Sequence, residues 1–543
     1  MSLIFKWVKP VPSFTTLSHH RAGQIYNFYR TSEGINPPVS IHVNALPWRP
    51  QFTDKIAYWF FRFMDEKAFH KVLIDNFGHV PTKGQDRLLY ATARLLFSVR
   101  DNCAFIIRGY AGTGKTTSVK AIVESLKLIG QRSVLLAPTG RAAKVLANYS
   151  GRPAFTIHKK IYQLKTTRDG VGVFQLRSNL HKKTLFIVDE ASMIGTLQSS
   201  VLSSRDLLSD LLEFVFSGEN CRLLLIGDDA QLPPVGSDHS PALDMNYMLN
   251  AYPLTVAQTT LTEVKRQALT SGILYNATML REQLLDEKTF MPQLHTRVFD
   301  DVIRVEGHEL QDELENAINE HGIEGTVMVT RSNKRANLFN QQIRHRVLWK
   351  EDRINAGDYM MVVKNNYFWL DEEKSQTTSF IANGDTLEIM KIARYEERYG
   401  FEFATAEVRL LDYPDLPPME VVLLLDTIMG ETANLGPEKS KALYHCVAED
   451  YIDLADRKKI HQAVMDDPFY NALQVKFAYA ITCHKSQGGQ WPAVFVDQGY
   501  INDDMLDKEF IRWLYTAITR AQQKLFLVNW DEKFFDEDER EGQ

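Results

Sequence analysis

The eight residues from Gly109 to Thr116 read GYAGTGKT, a complete G-x-x-x-x-G-K-[ST] pattern. The apolar run Ala104–Arg108 before it predicts a strand, and the stretch after it, to Leu128, predicts a helix. Glycines in such a turn let backbone N–H groups face phosphate oxygens, and the helix N-terminus adds a partial positive charge. A glycine-rich surface turn is the alternative, but it needs no flanking strand and helix. The pattern therefore predicts a phosphate-binding loop at the edge of a parallel α/β sheet.

The loop residues suggest how a nucleotide is held. Lys115 is placed to reach the β- and γ-phosphates, and the Thr116 hydroxyl is placed to hold Mg²⁺. The predicted cofactors are therefore ATP and Mg²⁺. The residues predicted to bind the nucleotide in this loop are Gly109, Gly112, Thr113, Gly114, Lys115, Thr116 and Thr117.

Two further segments place polar side chains directly after apolar runs. Residues 185–190 read LFIVDE, which puts Asp189 and Glu190 at the carboxyl end of a strand, where ligands bind in such sheets. Asp189 is predicted to hold Mg²⁺ through water, and Glu190 to act as the general base on the attacking water. Residues 227–234 read GDDAQLPP, and Gln231 is predicted to sense the γ-phosphate or orient that water.

Short apolar runs alternate with helical stretches along most of the chain, which predicts an α/β fold with two parallel sheets. Between the strands of the second sheet, residues 385–475 alternate apolar and polar residues and predict a small inserted β-barrel. The remaining predicted sheet strands are Ser133–Ala137, Thr184–Val188, Arg222–Ile226, Thr326–Thr330, Ala493–Val496 and Lys524–Val528.

The cysteines and the hydropathy indicate the cellular compartment expected for the protein. The four cysteines, 103, 221, 446 and 483, are far apart in sequence, so no CxxC metal or redox pair is present. No apolar run approaches the roughly 20 residues of a membrane helix. We therefore expect a cytoplasmic, intracellular protein with no membrane association.

The net charge of −6 hides an uneven distribution. Residues 1–180 carry 26 Lys and Arg against 9 Asp and Glu, a net charge of +17, whereas the rest of the chain has 36 against 59, a net charge of −23. Such a split indicates a polyanionic partner. The alternative is a basic domain packed on an acidic one.

Nine short blocks follow one another along the chain, three of them described above. They are PTKGQ (81–85), GYAGTGKT (109–116), APTGRAAKVL (137–146), TIH (156–158), DEASM (189–193), GDDAQLPPVG (227–236), LTEVKRQ (261–267), TCHKSQG (482–488) and YTAITRA (515–521). In sequence and order they resemble the motifs of the superfamily 1 DNA helicases of the 5′→3′ branch, which includes RecD-like and Dda-like enzymes. The resemblance covers about residues 80–530.

The resemblance implies roles for residues that spacing alone leaves unassigned. Gln85 would contact adenine, Gln490 would hydrogen-bond the ribose, and Arg266 and Arg520 would reach the γ-phosphate as arginine fingers. A surface salt bridge is the alternative for each arginine considered alone. The residues implied to contact DNA are Thr139, Arg141, His158, Thr482, His484, Lys485 and Ser486.

The resemblance also implies an architecture of two RecA-like P-loop domains with an SH3-like barrel. The expected segments are an extension over 1–78, a first domain over 79–265, a second domain over 266–384 and 476–530, the barrel over 385–475 and an acidic, frayed tail over 531–543. Within the first domain, Asp169-Gly170 predicts a hairpin over about 161–180, either a strand-separating pin or a plain surface hairpin.

The function expected from these features is ATP-dependent 5′→3′ translocation on single-stranded DNA with unwinding of duplex DNA. Two alternatives remain: a RecD-like helicase subunit of an exonuclease V-type complex, and a P-loop ATPase switch that remodels a protein partner. A monomer is expected, and the sequence identifies no protein partner.

Overall fold

The computed structural model describes residues 64–166, 172–196, 206–264, 270–286, 291–370 and 380–535, together with four two-residue strands before residue 64. The chain divides into two compact units, residues 1–63 and 64–543. In the first unit, Gln24–Ile25 pairs with Ile41–His42 and Arg30–Thr31 pairs with Gly34–Ile35, both antiparallel.

The first domain of the larger unit is built on a six-stranded sheet in which every pairing is parallel. The strand order confirms the predicted α/β architecture. Across the sheet the strands are Thr255–Leu261, Cys103–Gly109, Arg222–Gly227, Thr184–Val188, Arg132–Ala137 and Ala154–Thr156. The associated helices are Glu66–Phe77, Lys83–Phe97, Lys115–Leu128, Gly140–Ser150, Ile157–Ile161, Leu207–Ser217 and Met245–Ala251.

The first domain begins earlier than the sequence predicted. Helix Glu66–Phe77 buries Phe69, Leu73 and Phe77 and packs on the helices Lys83–Phe97 and Lys115–Leu128. Its three apolar residues recur at helical spacing, so they lie on one face of the helix. Residues 64–78 therefore belong to the larger unit and not to the N-terminal extension.

The second domain has a five-stranded sheet, and all of its pairings are again parallel. In spatial order its strands are Val302–Val305, Ala521–Val528, Trp491–Asp497, Thr326–Thr330 and Ala480–Thr482. Its helices are Gly272–Asp286, Leu310–His321, Asn333–Gln342, Cys483–Ser486 and Lys508–Ile518. A π-helical turn, Ile343–Val347, continues Asn333–Gln342.

A closed five-stranded barrel is inserted in the second domain, as predicted, but its limits are wider than 385–475. Its strands are Tyr359–Val362, Thr386–Arg398, Phe401–Leu410, Met419–Leu424 and Leu473–Phe477. The first strand pairs with the last and closes the barrel, so both belong to it. Two helices, Pro437–Glu449 and Arg457–Met465, lie between the fourth and fifth strands.

A buried ionic cluster fixes the start of the barrel to the second domain. Asp358, with no exposed surface, accepts hydrogen bonds from Arg344 Nη2 at 3.0 Å, Lys350 Nζ at 3.0 Å and the Tyr479 hydroxyl at 2.8 Å. Arg344 is itself only 1% exposed. One carboxylate therefore balances two buried or half-buried cations.

We expect Asp358→Asn to destabilise the protein by about 3–5 kcal/mol, because the substitution leaves Arg344 buried without its counter-charge. A lower urea midpoint measures the effect. Glu431→Gln is the matched control, since Glu431 pairs with Lys334 on the surface, where both side chains are at least 70% exposed. Equal midpoints for the two variants would contradict the role of the cluster.

The C-terminal segment differs from the expected frayed tail. Phe534 and Phe535 are buried, and residue 535 forms a parallel bridge with Leu294. The residues from Asp531 to Phe535 are therefore part of the second domain; positions 536–543 lie outside the described residues. No helix in the described part of the chain is long and apolar enough to cross a membrane.

Candidate functional site

The predicted phosphate loop joins strand Cys103–Gly109 to helix Lys115–Leu128. Gly112 and Gly114 have φ of 73° and 84°, left-handed values that favour glycine. A Cβ on Gly109 would lie 2.9 Å from Lys115 Cγ, so glycine at this position also makes room for the lysine stem. The loop therefore has the conformation that its glycine spacing predicted.

Lys115 and the threonines take different positions in the loop. Lys115 Nζ donates to the carbonyls of Gly109 and Tyr110 and lies 3.7 Å from Asp228 Oδ2. Thr113 is buried and donates to the Tyr110 carbonyl at 2.7 Å, so its side chain shapes the loop. Thr116 is exposed and Thr117 half-buried. The lysine is thus folded onto the loop carbonyls, whereas Thr116 is open to solvent.

Gln85 is tied to the same loop. Its amide donates to the Thr113 carbonyl at 3.0 Å, and its side-chain carbonyl accepts from the Thr82 N–H at 2.9 Å in a capping box that starts helix Lys83–Phe97. A Cβ on Gly114 would lie 2.5 Å from Gln85 Nε2. Gln85 therefore buttresses the loop, and its contact with adenine stays a prediction.

Asp189 and Glu190 follow the fully buried strand Thr184–Val188, as predicted. The Tyr149 hydroxyl donates to Asp189 Oδ2 at 2.5 Å, and the Glu190 N–H donates to Asp189 Oδ1 at 2.9 Å. Glu190 has φ of 52°, which turns the chain sharply after the strand. Burial raises the pKa of Glu190, the charge of Arg520 opposes that rise, and the charge of Asp189 adds to it. An acid with a raised pKa suits proton transfer.

The loop that carries Gln231 lies between the two domains. Leu232 N donates to the Thr516 hydroxyl at 2.9 Å, and the Leu232 carbonyl accepts from Gln487 Nε2 at 2.7 Å. Gln231 is buried, and its Oε1 has no hydrogen-bond partner among the described residues. An unsatisfied buried amide oxygen fits a residue that bonds a bound water or ligand.

Sequence reasoning missed Tyr515, which joins the domains at the phosphate loop. Its hydroxyl accepts from the Ala111 N–H at 2.9 Å and donates to Asp228 Oδ2 at 2.7 Å. Tyr515 opens the block YTAITRA, so its place in that block was a usable signal. Asp228, next to Lys115, was visible as the first acid of GDDAQLPP.

Arg520 lies at the same interface and is only 3% exposed. Its guanidinium donates to the carbonyls of Thr516 at 3.0 Å and Gly489 at 3.2 Å. Arg266 lies outside the described residues, so its role as a finger stays a prediction. Gln490 is exposed and accepts from Gln522 Nε2 at 3.0 Å.

The donor set fits ATP and Mg²⁺. The glycine turn and the lysine suit phosphates, and a hydroxyl with one carboxylate suits a magnesium ion that takes its remaining oxygens from phosphates and water. The described residues include no group of three or more His, Cys, Asp or Glu placed to hold a metal by themselves.

Of the predicted DNA contacts of the first domain, Thr139 and Arg141 lie at the N-terminus of helix Gly140–Ser150, and His158 lies in helix Ile157–Ile161. Thr139 caps this helix by accepting from Ala142 N at 3.2 Å. Arg141 stacks on the buried Trp491 of the second domain, 4.2 Å from the ring centroid. His158 is half-buried, and burial lowers its pKa to about 4, so it is neutral near pH 7. Arg141 therefore makes a domain–domain contact in this structure.

The predicted DNA contacts of the second domain follow strand Ala480–Thr482. His484 is exposed, and Thr482 and Lys485 are half-buried. Burial, assisted by the charge of Lys476, lowers the pKa of Lys485 to about 8. Ser486 is a correction: its side chain is fully buried and its hydroxyl donates to the Cys483 carbonyl at 2.7 Å, so it closes a turn and cannot contact a strand here.

The fold and the site together define a P-loop nucleotide-binding chain with two RecA-like domains. Residues 83–289 match the AAA domain family and residues 477–528 match the UvrD-like helicase C-terminal domain family. These matches cover the blocks from the phosphate loop to LTEVKRQ and the TCHKSQG and YTAITRA blocks. Together with the two helicase relatives described next, they confirm the resemblance to the RecD-like and Dda-like helicases.

Individual relatives match parts of the chain. The ATP-dependent RecD2 DNA helicase of Deinococcus radiodurans is 33% identical over 201 residues, 36% of this chain and 24% of that protein. The ATP-dependent DNA helicase dda of Enterobacteria phage T4 is 34% identical over 163 residues, 30% of this chain and 34% of that protein. The matches thus span about a quarter and a third of these relatives. A crystal structure of Pif1 helicase from Bacteroides has a TM-score of 0.41 at 13% identity, covering 84% of this chain and 95% of that one.

Proposed function

We propose that this chain is an ATP- and Mg²⁺-dependent DNA helicase that moves 5′→3′ along single-stranded DNA and unwinds duplex DNA. The observation that carries the proposal is the meeting of two domains at one phosphate loop. The first domain supplies Lys115, and the second supplies Tyr515, bonded to the loop, and the buried Arg520. A nucleotide held there touches both domains, so its hydrolysis changes how they fit together.

The residues divide the chemistry between them. Lys115 and the loop N–H groups bind the phosphates, Gln231 orients the attacking water, and Glu190 takes its proton. Arg520 neutralises charge that develops on the transferred phosphoryl group. Thr116 and Asp189 would hold Mg²⁺, which when bound supplies charge neutralisation at the phosphates.

Movement along DNA follows from the position of the predicted DNA contacts. Thr139 lies on the first domain, and Thr482, His484 and Lys485 lie on the second. The two domains are close together here, since a Cβ on Gly488 of the second domain would lie only 3.3 Å from the Thr139 hydroxyl oxygen. Opening and closing at the nucleotide therefore changes the spacing between the two sets of contacts. A strand gripped alternately by the two sets advances with each cycle.

The direct test of this function is ATP hydrolysis with and without single-stranded DNA. We expect DNA to stimulate turnover several-fold at low salt and the stimulation to weaken as salt rises, because phosphate contacts release counterions. The control is the same assay with heparin at equal charge. A rate of ATP hydrolysis that does not change with DNA, or that rises equally with heparin, would contradict the proposed movement along single-stranded DNA.

The hairpin of the first domain is proposed as the element that separates the strands. Strands Tyr162–Thr166 and Gly172–Leu176 pair antiparallel, as the sequence predicted, directly after the helix that carries His158. Arg177 anchors its base by donating from N to the Ile161 carbonyl at 2.7 Å and from Nε to the Tyr162 carbonyl at 2.6 Å. The turn at 167–171 lies outside the described residues.

Deleting residues 167–174 is expected to abolish unwinding while DNA-stimulated ATP hydrolysis continues, because the nucleotide site and both sets of DNA contacts remain. The measurement is strand displacement and ATP turnover on the same preparation. Displacement at the rate of the intact chain would make the hairpin a plain surface element.

A further inference from the structure

Tyr149 makes a contact that no sequence block assigns. It lies in the last turn of helix Gly140–Ser150, half-buried, and its hydroxyl donates to Asp189 Oδ2 at 2.5 Å. The other Asp189 oxygen accepts from the Glu190 N–H at 2.9 Å, and the Asp189 N–H donates to the Leu136 carbonyl at 2.9 Å. The carboxylate is thus held from both sides, and Tyr149 supplies the only side-chain donor to it among the described residues.

The chemistry of the pair fixes which group donates. The ordinary pKa of a tyrosine phenol is about 10, whereas that of an aspartate carboxyl is about 4. The phenol therefore stays protonated across the working pH range, and the carboxylate is the acceptor. A tyrosine that merely filled apolar space would leave its hydroxyl in water or on a backbone carbonyl.

We propose that Tyr149 is a positioning residue that holds the Asp189 carboxylate in the orientation needed for Mg²⁺ at the nucleotide site. The inference rests on the proposed use of Mg-ATP. Hydrogen bonds to a metal-ligating carboxylate restrict its rotation, and their loss typically weakens metal binding about 10- to 100-fold. Each Asp189 oxygen keeps a free lone pair after accepting one bond.

The same helix reaches the proposed DNA track. It starts after its cap, Thr139, and carries Arg141 in its first turn, about 12 Å along the axis from Tyr149 at 1.5 Å per residue. A DNA strand bound at the first turn would contact the same short helix whose last turn carries Tyr149, the residue that bonds Asp189. Binding of DNA is therefore expected to change the Mg²⁺ requirement of the nucleotide site through Tyr149.

The test measures binding, not turnover. Mg²⁺ is titrated into the full chain with a fluorescent, non-hydrolysable ATP analogue, and the midpoint is compared between the native chain and Tyr149→Phe, which removes only the hydroxyl. We expect the midpoint to rise about 10-fold. Tyr162→Phe is the matched control, because the Tyr162 hydroxyl makes a similar bond, 2.7 Å long, to Asp210 away from the nucleotide site.

Two outcomes overturn the positioning role: a Tyr149→Phe midpoint within twofold of the native value, or an equal rise in Tyr162→Phe. A second measurement guards against a general loss of fold. In an Asp189→Asn background, adding Tyr149→Phe should change the midpoint no further, and an undiminished further rise would show that Tyr149 acts elsewhere.

Repeating the titration with oligo-dT separates the coupling from the proposed function. The native midpoint should fall with DNA, whereas that of Tyr149→Phe should stay fixed. An equal fall in both would overturn coupling through Tyr149, and no fall in the native chain would overturn coupling altogether. The DNA-free result stands apart from any unwinding assay, and failure of the native chain to bind the analogue would instead contradict the proposed ATPase.

Discussion

Glu190→Gln should reduce the turnover of ATP by about 10²–10⁴-fold while leaving ATP affinity close to that of the native chain. Glutamine keeps the size of the side chain but cannot accept the proton of the attacking water. The contacts proposed to bind phosphate, from Lys115 and the loop N–H groups, are untouched. Single-turnover hydrolysis and equilibrium binding of ATP measure the two quantities separately.

The raised pKa of Glu190 adds a pH dependence to this prediction. The native rate should fall as pH falls through the raised pKa, because a protonated carboxyl cannot act as a base, and Glu190→Gln should lose that dependence. Glu219→Gln is the control, since Glu219 pairs with Lys182 on the surface. Lost ATP binding in Glu190→Gln, or undiminished turnover, would contradict the assignment of the base.

Arg520→Gln is the second substitution with a large expected effect, about 10³–10⁵-fold on turnover. Arg520 is almost fully buried, and its guanidinium donates to carbonyl and hydroxyl oxygens, with no ion pair within 4.0 Å among the described residues. We propose that the phosphoryl group of a bound nucleotide supplies the counter-charge for this cation.

Arg520→Lys separates charge from geometry in the same experiment. Lysine keeps the charge but lacks the planar fork, so we expect it to recover only part of the lost rate. Arg353→Gln, in an exposed pair with Glu402 of the barrel, should leave turnover unchanged. Turnover at the native rate in Arg520→Gln would contradict the proposed role of Arg520 as an arginine finger.

The elements that the sequence predicted are those with local signals. The phosphate loop and Asp189-Glu190 each sit next to a short apolar strand, so spacing along the chain placed them at the carboxyl edge of a sheet. The predicted strands, including the two that pair in the hairpin on either side of residues 167–171, followed from periodicity and turn chemistry in the same way.

The contacts that sequence reasoning missed join residues far apart in the chain. Tyr515 meets Ala111, Arg141 meets Trp491 and Tyr149 meets Asp189 only after the domains have folded and packed. The barrel limits were wrong for the same reason, because Tyr359–Val362 joins it by pairing with Leu473–Phe477. Ser486 was misassigned because a serine in a short turn bonds its own backbone as readily as it bonds a phosphate.

Helicase activity and its direction are measured together by unwinding two duplexes that differ only in the polarity of a single-stranded tail. With ATP and Mg²⁺, we expect displacement of the strand from the 5′-tailed duplex and none from the 3′-tailed one. Displacement from the 3′-tailed duplex alone would contradict the direction of movement. No displacement from either, together with ATP hydrolysis that ignores single-stranded DNA, would contradict the helicase itself.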